Sequence, residues 1–304
     1  MKMRCFPWGG NAVAIEAGMA DPAMAERIFA TARLRQVEYA MPTISGVLLP
    51  PYVDDVYCHS AVNRAWHYQN GGQWDWFGAR LILAMYEAGY SDAATVALRQ
   101  IAERNAAHFG ISEWHDRAGH PQGSPWYSGS AGVLGRALVE GYFGIVSEFA
   151  ALTIRPRLKE ASGRIALREP VTGRRIAYDY RAEAERLRLW LDTDHPAPVS
   201  VVLTLPKGWS GVRTVTVNGR PVAHQAGQTG EDRWLRIRLL PRTGPVRIEV
   251  NAFPADQRTS RTTPALTRHP SFAKEGNPEI RLSPEKTIMR NPPRLEGRDL
   301  SRKI

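Results

Sequence analysis

Two helices and the tight turn between them are predicted from Gly78-Ala-Arg-Leu-Ile-Leu-Ala-Met-Tyr-Glu-Ala-Gly-Tyr-Ser-Asp92. Apolar residues recur at helical spacing up to Gly89, a residue type at which helices commonly stop. Ser91 or Asp92 is a suitable N-cap for the second helix, which the pattern extends to about His108. This stretch therefore predicts a helical hairpin.

Further helices are predicted on both sides of this hairpin, over Asn11–Gly18, Pro22–Arg35 and Ser130–Tyr142. Asp21 is an N-cap residue followed by proline at the first helical position. Long loops rich in proline, glycine and aromatic residues separate the helices, which is typical of stacked helical hairpins. Because functional residues concentrate in such loops, we expect one end of the assembly to carry the function.

The hydrophobic period becomes alternating from about Leu152 to Phe253. Strand-like runs lie at 164–167, 187–191, 199–205, 212–217, 234–239 and 246–250. Asn218-Gly219 is typical of a type I′ hairpin turn, which needs positive φ at both central positions. We predict a C-terminal antiparallel β-sandwich over residues 151–253, followed by a disordered, basic, proline-rich tail over 254–304.

The composition describes an ordinary globular chain. No run among the 304 residues approaches the roughly 18 apolar residues of a membrane span, so we expect no membrane partner. About half of the net charge of +10 lies in the predicted tail, with eleven Lys/Arg against six Asp/Glu, and most of the remainder alternates with apolar residues along predicted strands. We therefore expect no nucleic-acid partner.

Cys5 and Cys58 are too few for a disulfide framework. The chain shows no signal peptide, which favours the cytoplasm but leaves the localisation open.

The densest functional signal is the segment His67-Tyr-Gln-Asn-Gly-Gly-Gln-Trp-Asp-Trp-Phe77, directly before a helix. Sugars have flat C–H faces edged by hydroxyls, so a sugar site needs aromatic faces together with planar amide or carboxylate groups. We predict that the substrate-binding side chains of this segment are Tyr68, Gln69, Asn70, Gln73, Trp74 and Asp75. The alternative for Trp74, Trp76 and Phe77 is that they pack between helices.

A second signal extends from Ser112-Glu-Trp-His-Asp116 to Trp126-Tyr-Ser-Gly-Ser130. Glu113 follows a helix end, among aromatic residues. A carboxyl group among rings suits general acid–base catalysis, because desolvation raises the pKa of such a group. We predict that Glu113 is catalytic and that Trp126 and Tyr127 bind substrate. The alternative for Glu113 is a solvated loop glutamate.

Ser128 and Ser130 lie at the start of the last predicted helix. Hydroxyls and free N–H groups at such a position can bind an anion or a sugar hydroxyl. Either serine can equally be only the N-cap. His115 and His120 are four residues apart but lack further ligands, so we predict no metal site and no cofactor.

Three motifs follow one another along the chain: Tyr68-Gln-Asn-Gly-Gly-Gln-Trp74, Trp126-Tyr-Ser-Gly-Ser-Ala-Gly132 and Glu140-Gly-Tyr-Phe-Gly-Ile145. In this order and spacing they resemble the C-terminal part of six-hairpin glycosidases. The nearest resemblance is to cellobiose-phosphorylase-like glycoside hydrolases and phosphorylases. Leu152-Thr-Ile-Arg-Pro-Arg-Leu158 resembles the passage from the helical barrel of such proteins into their C-terminal β-domain. By motif, the resemblance covers roughly residues 8–160.

The resemblance implies an α+β fold, in which residues 1–150 form the last hairpins of a partial (α/α)6 toroid. It also implies a carbohydrate-active enzyme that acts on the glycosidic bonds of oligosaccharides. Family barrels have twelve helices, whereas about five are predicted here. A missing N-terminal half or self-association is therefore expected to supply the remaining helices and the general acid. Asp54 and Asp55 are candidates for a substitute acid that no family motif supports.

Glu113 lies near the position at which hydrolytic relatives place a general base. Phosphorylase relatives bind inorganic phosphate near the element that corresponds here to Tyr127-Ser-Gly-Ser130. Inverting hydrolysis needs both an acid and a base, which one carboxylate cannot supply, and the choice between hydrolase and phosphorylase stays open. One alternative is a non-catalytic carbohydrate-binding remnant. Another is a purely structural chain.

Overall fold

The structure, a computed structural model, describes residues 5–60, 62–148, 150–240 and 244–254. The fold is mixed α+β, as predicted, with the helices preceding the two larger sheets. The helices are α1 (Trp8–Glu16), α2 (Pro22–Glu38), α3 (Asp75–Glu87), α4 (Ser91–Ala107), α5 (Ser128–Arg136) and a π-helix (Ala137–Tyr142). Within these ranges no helix is both long enough and apolar enough to cross a membrane.

The predicted hairpin is present as α3 and α4, but its second helix begins differently. Tyr90 occupies the N-cap position of α4 and makes no side-chain cap bond. The Ser91 hydroxyl hydrogen-bonds the Asp232 carboxylate, and Asp92 accepts a hydrogen bond of 2.7 Å from Lys159. The prediction that Ser91 or Asp92 caps α4 is wrong, because both side chains bind partners in the β-region instead.

Helix α2 begins as predicted. The Asp21 carboxylate accepts a hydrogen bond of 2.7 Å from the Met24 N–H, and Pro22 is the first helical residue. Such a cap satisfies one of the N–H groups that have no partner within the helix. The N-terminus of α2 is therefore fixed by its own sequence.

Helix α3 lies at the centre of the helical region. Leu81, Ile82, Leu83, Met85 and Tyr86 are each at most 1% exposed. These side chains pack against neighbouring elements, since α3 contacts α1, α4, α5 and the π-helix. The residues before α3, which carry the first functional signal, therefore extend from the most buried helix of this region.

The last predicted helix, Ser130–Tyr142, divides into α5 and the π-helix. Arg157 donates hydrogen bonds to the carbonyl oxygens of Glu140 at 2.9 Å and Gly141 at 2.7 Å. A Cβ on Gly141 would lie 2.6 Å from the Tyr86 ring, so only glycine allows this close approach to α3. The π-helix therefore lies where Gly141 packs closely against Tyr86 and where Arg157 binds the carbonyl oxygens of Glu140 and Gly141.

The strands are β1 (Phe6–Pro7), β2 (Leu48–Leu49), β3 (Trp114–His115), β4 (Pro121–Gln122), β5 (Ile145–Glu148), β6 (Ala151–Ile154), β7 (Gly163–Arg168), β8 (Arg175–Glu183), β9 (Arg186–Thr193), β10 (Val199–Thr204), β11 (Trp209–Val217), β12 (Arg220–Pro221), β13 (Gln225–Thr229), β14 (Asp232–Leu239) and β15 (Val246–Pro254). One sheet has the order β13-β14-β10-β6-β5 and the other β12-β11-β15-β9-β8-β7. Neighbouring strands are antiparallel except β6 and β10. Inward-facing side chains of both sheets form one buried cluster, as expected of a sandwich.

The turn after β11 has the predicted conformation, with φ of 50° at Asn218 and 78° at Gly219. Strand β8 was absent from the sequence prediction, although Ile176, Tyr178 and Tyr180 alternate inward along it. Strand β15 extends to Pro254, one residue into the predicted tail. The rest of that tail lies outside the described residues.

The helical hairpin contacts the β-region at Gly89, which has a φ of 82°. The Gly89 carbonyl accepts hydrogen bonds from the N–H groups of Glu231 at 2.9 Å and Asp232 at 3.0 Å. A Cβ at residue 89 would lie 1.8 Å from the Thr229 carbonyl oxygen. The glycine that ends α3 therefore also allows the β13–β14 turn to approach the backbone of the hairpin.

Candidate functional site

Glu113 is a half-buried carboxylate held by two donors from different loops. The Tyr68 hydroxyl donates a hydrogen bond of 3.2 Å to its Oε1, and the Ser124 N–H donates one of 3.1 Å to its Oε2. The Glu113 N–H in turn donates to the Ser124 carbonyl at 2.8 Å. Each carboxylate oxygen can accept further bonds, so Glu113 keeps the capacity to accept a proton or a ligand hydroxyl.

Four aromatic rings form a series of edge-to-face contacts that reaches this carboxylate through the Tyr68 hydroxyl. The Tyr68 ring lies 5.0 Å from that of Trp74 and 6.1 Å from that of Trp114, and Trp74 lies 5.9 Å from Tyr127, all edge to face. The Trp74 indole N–H donates to the Tyr68 carbonyl at 3.2 Å. We call Tyr68, Trp74, Trp114, Tyr127 and Glu113 the aromatic cluster. The structure thus brings together four residues predicted for the site, Tyr68, Trp74, Glu113 and Tyr127.

Two glycines allow this arrangement. A Cβ at Gly72 would lie 2.3 Å from the Tyr68 carbonyl oxygen and 2.9 Å from the Trp114 ring. Gly123 has a φ of 68°, and a Cβ there would lie 2.5 Å from Oε2 of Glu113. Both glycines therefore leave room for side chains or backbone of the aromatic cluster.

Burial raises the pKa of the Tyr68 phenol, and the neighbouring negative charge of Glu113 raises it further. The phenol therefore keeps its proton and remains the donor of the hydrogen bond to Glu113.

Asn70 and Gln73 are buried and bind polypeptide rather than facing solvent. The Asn70 amide bonds the N–H and carbonyl of Tyr52 at 2.8 and 3.1 Å, and the Arg64 carbonyl at 3.1 Å. The Gln73 amide accepts from the Thr43 hydroxyl at 2.8 Å and donates to the carbonyls of Asp116 and Arg117 at 2.7 and 3.2 Å. Both amides hold loops against the segment that carries Tyr68 and Trp74.

Asp75, fully buried at the start of α3, forms an ion pair with Arg104 near the end of α4. Its carboxylate also accepts hydrogen bonds from the Ser45 hydroxyl at 2.9 Å and the Asn105 amide at 2.8 Å. Arg104 further donates to Thr43 at 3.0 Å. The sequence prediction missed Arg104, because nothing in its helical pattern distinguishes it from a surface arginine.

The remaining predicted side chains differ in their access to solvent. Gln69 and Ser128 are exposed, and Trp126 is 76% exposed beside Gly110. Ser130 is fully buried, and its hydroxyl lacks a hydrogen-bond partner in the described part of the chain. Tyr127 is the N-cap of α5 and makes no side-chain cap bond, so neither serine caps this helix.

The other carboxylates that could serve as a metal ligand or a substitute acid are Asp116, Asp54 and Asp55, and the first two bind nearby residues. Asp116 bonds the N–H of His120 at 2.9 Å and its ring at 3.0 Å. The Asp54 carboxylate accepts from the Ala65 N–H at 2.8 Å, and Asp55 is exposed with a φ of 62°. Across the described ranges, no group of three or more His, Cys, Asp or Glu side chains could hold a metal ion.

His115 is fully buried, and neither ring nitrogen has a hydrogen-bond partner among the described residues. Burial, with the positive charge of Arg104, lowers the pKa of His115 to about 4. The imidazole is therefore neutral at physiological pH. Its backbone pairs with Gln73 through two hydrogen bonds of 2.8 Å, which join the two loops of the site.

Comparisons with family models and with curated proteins find no match to this sequence. Among solved structures, the chain is similar to a Streptomyces avermitilis α-L-rhamnosidase in complex with L-rhamnose, at 14% identity and a TM-score of 0.48, over 80% of this chain and 21% of that one. An α-L-rhamnosidase from Dictyoglumus thermophilum is similar at 10% identity and 0.43, over 57% and 20%. A GH127 β-L-arabinofuranosidase from Geobacillus stearothermophilus T6 is similar at 15% identity and 0.37, over 80% and 40%. All three are glycoside hydrolases, and this chain spans less than half the length of each.

Proposed function

We propose that this chain forms part of the active site of a carbohydrate-active enzyme that cleaves glycosidic bonds of oligosaccharides. The observation that carries the proposal is the Glu113 carboxylate, fixed by Tyr68 and Ser124, with the Tyr68 ring packed against Trp74 and Trp114. Aromatic faces match the C–H faces of sugars, and a fixed carboxylate matches either a hydroxyl or a reacting water. The order of sequence motifs, which resembles cellobiose-phosphorylase-like enzymes, supports the same function.

In this proposal the ligand meets the exposed and half-buried side chains. Tyr68, Tyr127 and Trp126 provide the aromatic faces, and Gln69 provides an amide at the edge. Four buried side chains do not meet the ligand but hold this segment in place: Asn70, Gln73, Trp74 and Asp75. The helices form the last hairpins of a partial (α/α)6 toroid, whose loops present this surface.

Hydrolysis would use Glu113 as the general base that takes a proton from the attacking water. A general acid must then protonate the leaving oxygen from the opposite side of the bond. Among the described residues, Glu113 is the one carboxylate that forms a hydrogen bond with a side chain of the aromatic cluster. We therefore propose that the acid comes from a further segment of polypeptide or from a second copy of the chain.

Phosphorolysis would use inorganic phosphate in place of water and needs no base. The start of α5 offers N–H groups without helical partners and the exposed Ser128 hydroxyl, which can bind phosphate. Ser130 would contribute only after a movement that exposes its hydroxyl. Dependence of product release on phosphate distinguishes the two reactions.

The test measures sugar release from a panel of disaccharides, with and without inorganic phosphate, in wild type and Glu113→Gln. We expect Glu113→Gln to abolish hydrolysis while disaccharide binding, measured by calorimetry, remains. Glu148→Gln, at an exposed position on β5, is the matched control and should leave release unchanged. The proposal would be contradicted if the wild-type chain neither released sugar from the disaccharides nor bound them.

A non-catalytic carbohydrate-binding role is the second candidate. It is favoured by the presence of one carboxylate in the aromatic cluster, since binding needs no acid–base pair. Oligosaccharide binding without product release, unchanged in Glu113→Gln, would select this candidate over the enzyme.

A further inference from the structure

A cavity of about 490 Å³ lies on the outer face of the five-stranded sheet. We call it the basic cavity, because Arg236, Arg238 and His224 are among its lining residues. Ser200 and Gln225 also line it. Its volume falls within the range of small-molecule sites.

Strand register explains why these side chains meet. Gln225 on β13 lies opposite Arg236 on β14, and Ser200 on β10 lies opposite Arg238. Opposite residues of an antiparallel pair share a face of the sheet, and alternate residues of one strand also share a face. The two guanidinium groups therefore stand on one side of β14, with Cα atoms roughly 7 Å apart.

The described residues do not neutralise the charges of this cavity. Its described lining contains no carboxylate, and neither Arg236 nor Arg238 forms an ion pair with any described residue. Asp232, on the same strand, is committed to Lys159 and Ser91. Two like charges in a concave surface repel each other, and an anion between them would relieve that repulsion.

Arg236 is also held in place. Its guanidinium lies 5.2 Å from the centroid of the Trp234 ring. The Trp234 indole donates a hydrogen bond of 3.0 Å to the Thr229 hydroxyl, and a Cβ at Gly227 would lie 2.5 Å from the indole ring. The ring is thus fixed on both sides, and it orients the arginine while leaving its N–H groups without a partner in the described chain.

The arginines over Trp190 on the other sheet behave differently. Arg188 forms an ion pair with Glu183, and Arg247 forms one with Glu249 at 2.8 Å. These arginines over Trp190 therefore have carboxylate partners, whereas Arg213 over Phe253 forms no ion pair with a described residue but stands alone on its ring. Arg236 is stacked without one, beside a second unpaired arginine.

We propose that the basic cavity binds an oxyanion, a phosphate or carboxylate group, between Arg236 and Arg238. Guanidinium groups match the geometry of such groups through pairs of parallel N–H donors. His224, Gln225 and Ser200 supply further donors for the anion or for sugar hydroxyls attached to it. The site is separate from the aromatic cluster and does not depend on the function proposed for that cluster.

The test titrates the full chain at low ionic strength with inorganic phosphate, glucuronate and glucose, using calorimetry. We expect the two anions to bind. Any heat measured with glucose should be the same in wild type and in variants of Arg236 and Arg238. Tighter binding of phosphate than of glucuronate identifies free phosphate as the source of the group. The reverse order identifies an acidic sugar.

The decisive comparison uses two double variants with the same loss of charge. Arg236→Gln with Arg238→Gln should weaken anion binding at least tenfold. Arg213→Gln with Arg220→Gln, at exposed positions outside the cavity, should change it less than twofold. An equal loss in both double variants would reduce the effect to general electrostatic attraction and overturn the proposal, as would no anion binding by wild type. Thermal unfolding of each variant verifies that the fold is retained.

Discussion

Lys159 connects the helical hairpin to the sheet through Asp232, with 2.9 Å between Nζ and Oδ1. Lys159 is 4% exposed and Asp232 is fully buried, and Lys159 also lies 2.7 Å from Asp92. A buried carboxylate that loses its cation is left with an uncompensated charge.

We therefore predict that Lys159→Met destabilises the protein by about 3–5 kcal/mol. Urea unfolding followed by circular dichroism measures the change. The matched control is Lys207→Met, because Lys207 also pairs with Asp92 but is 67% exposed, and exposed pairs contribute little. Equal effects of the two substitutions would show that the Lys159–Asp232 pair is not the stabilising contact.

His115 predicts a pH dependence of stability. Its pKa is lowered to about 4 in the folded protein, so between about pH 6.5 and 4 the unfolded chain binds the proton more readily. Stability is then full above about pH 6.5 and falls as the pH decreases towards 4, by about 3 kcal/mol at most. We expect His115→Leu to flatten this part of the stability profile. His224→Gln, at an exposed position, should leave the slope in place.

Tyr68→Phe tests the contact between the phenol and Glu113. Hydrogen bonds to charged groups contribute about 1.5–3 kcal/mol, so loss of the hydroxyl should lower sugar release roughly 10- to 100-fold. The melting temperature should change little, because the ring remains among Trp74 and Trp114. Tyr90→Phe removes a hydroxyl away from the cluster and should retain full activity. Unchanged activity in Tyr68→Phe would mean that the phenol does not assist Glu113.

Gly123→Ala separates backbone strain from displacement of Glu113. The matched control is Gly173→Ala, because Gly173 has almost the same φ, 69°, but open space around its Cα. Both substitutions should cost about 1–2 kcal/mol of stability for the left-handed conformation. Only Gly123→Ala places a methyl against the carboxylate, so we expect only that variant to lose sugar binding or release. Similar losses in both variants would argue against a functional position for Glu113.

The helical hairpin was predictable because apolar residues recur at helical spacing along α3 up to the stop at Gly89. The capping of α4 was not, because the partner of Ser91 lies 141 residues away, at Asp232. Strand β8 was missed although Ile176, Tyr178 and Tyr180 alternate along it. Its pairing with β7 and β9 becomes evident only in the sheet.

The candidate site was predictable in composition but not in orientation. The sequence indicates that Tyr68, Asp75 and Glu113 lie in functional loops, without indicating which side chains turn inward. Asp75 turns inward because Arg104, 29 residues later, lies opposite it on the adjacent helix. Glu113 stays half-buried, and Gly123 leaves room for its carboxylate. Such choices depend on contacts between segments that are distant in sequence.

The contact of Gly89 with the β13–β14 turn also bears on how the chain matures during synthesis. The hairpin that includes Gly89 is complete by residue 107, whereas the turn that covers it follows residue 229. More than a hundred residues must leave the ribosome before the helical region gains this contact. If the helical segment were released by a protease or expressed alone, the Gly89 carbonyl would lose both of its donors, the N–H groups of Glu231 and Asp232. In either case water would have to replace the two N–H donors at this carbonyl.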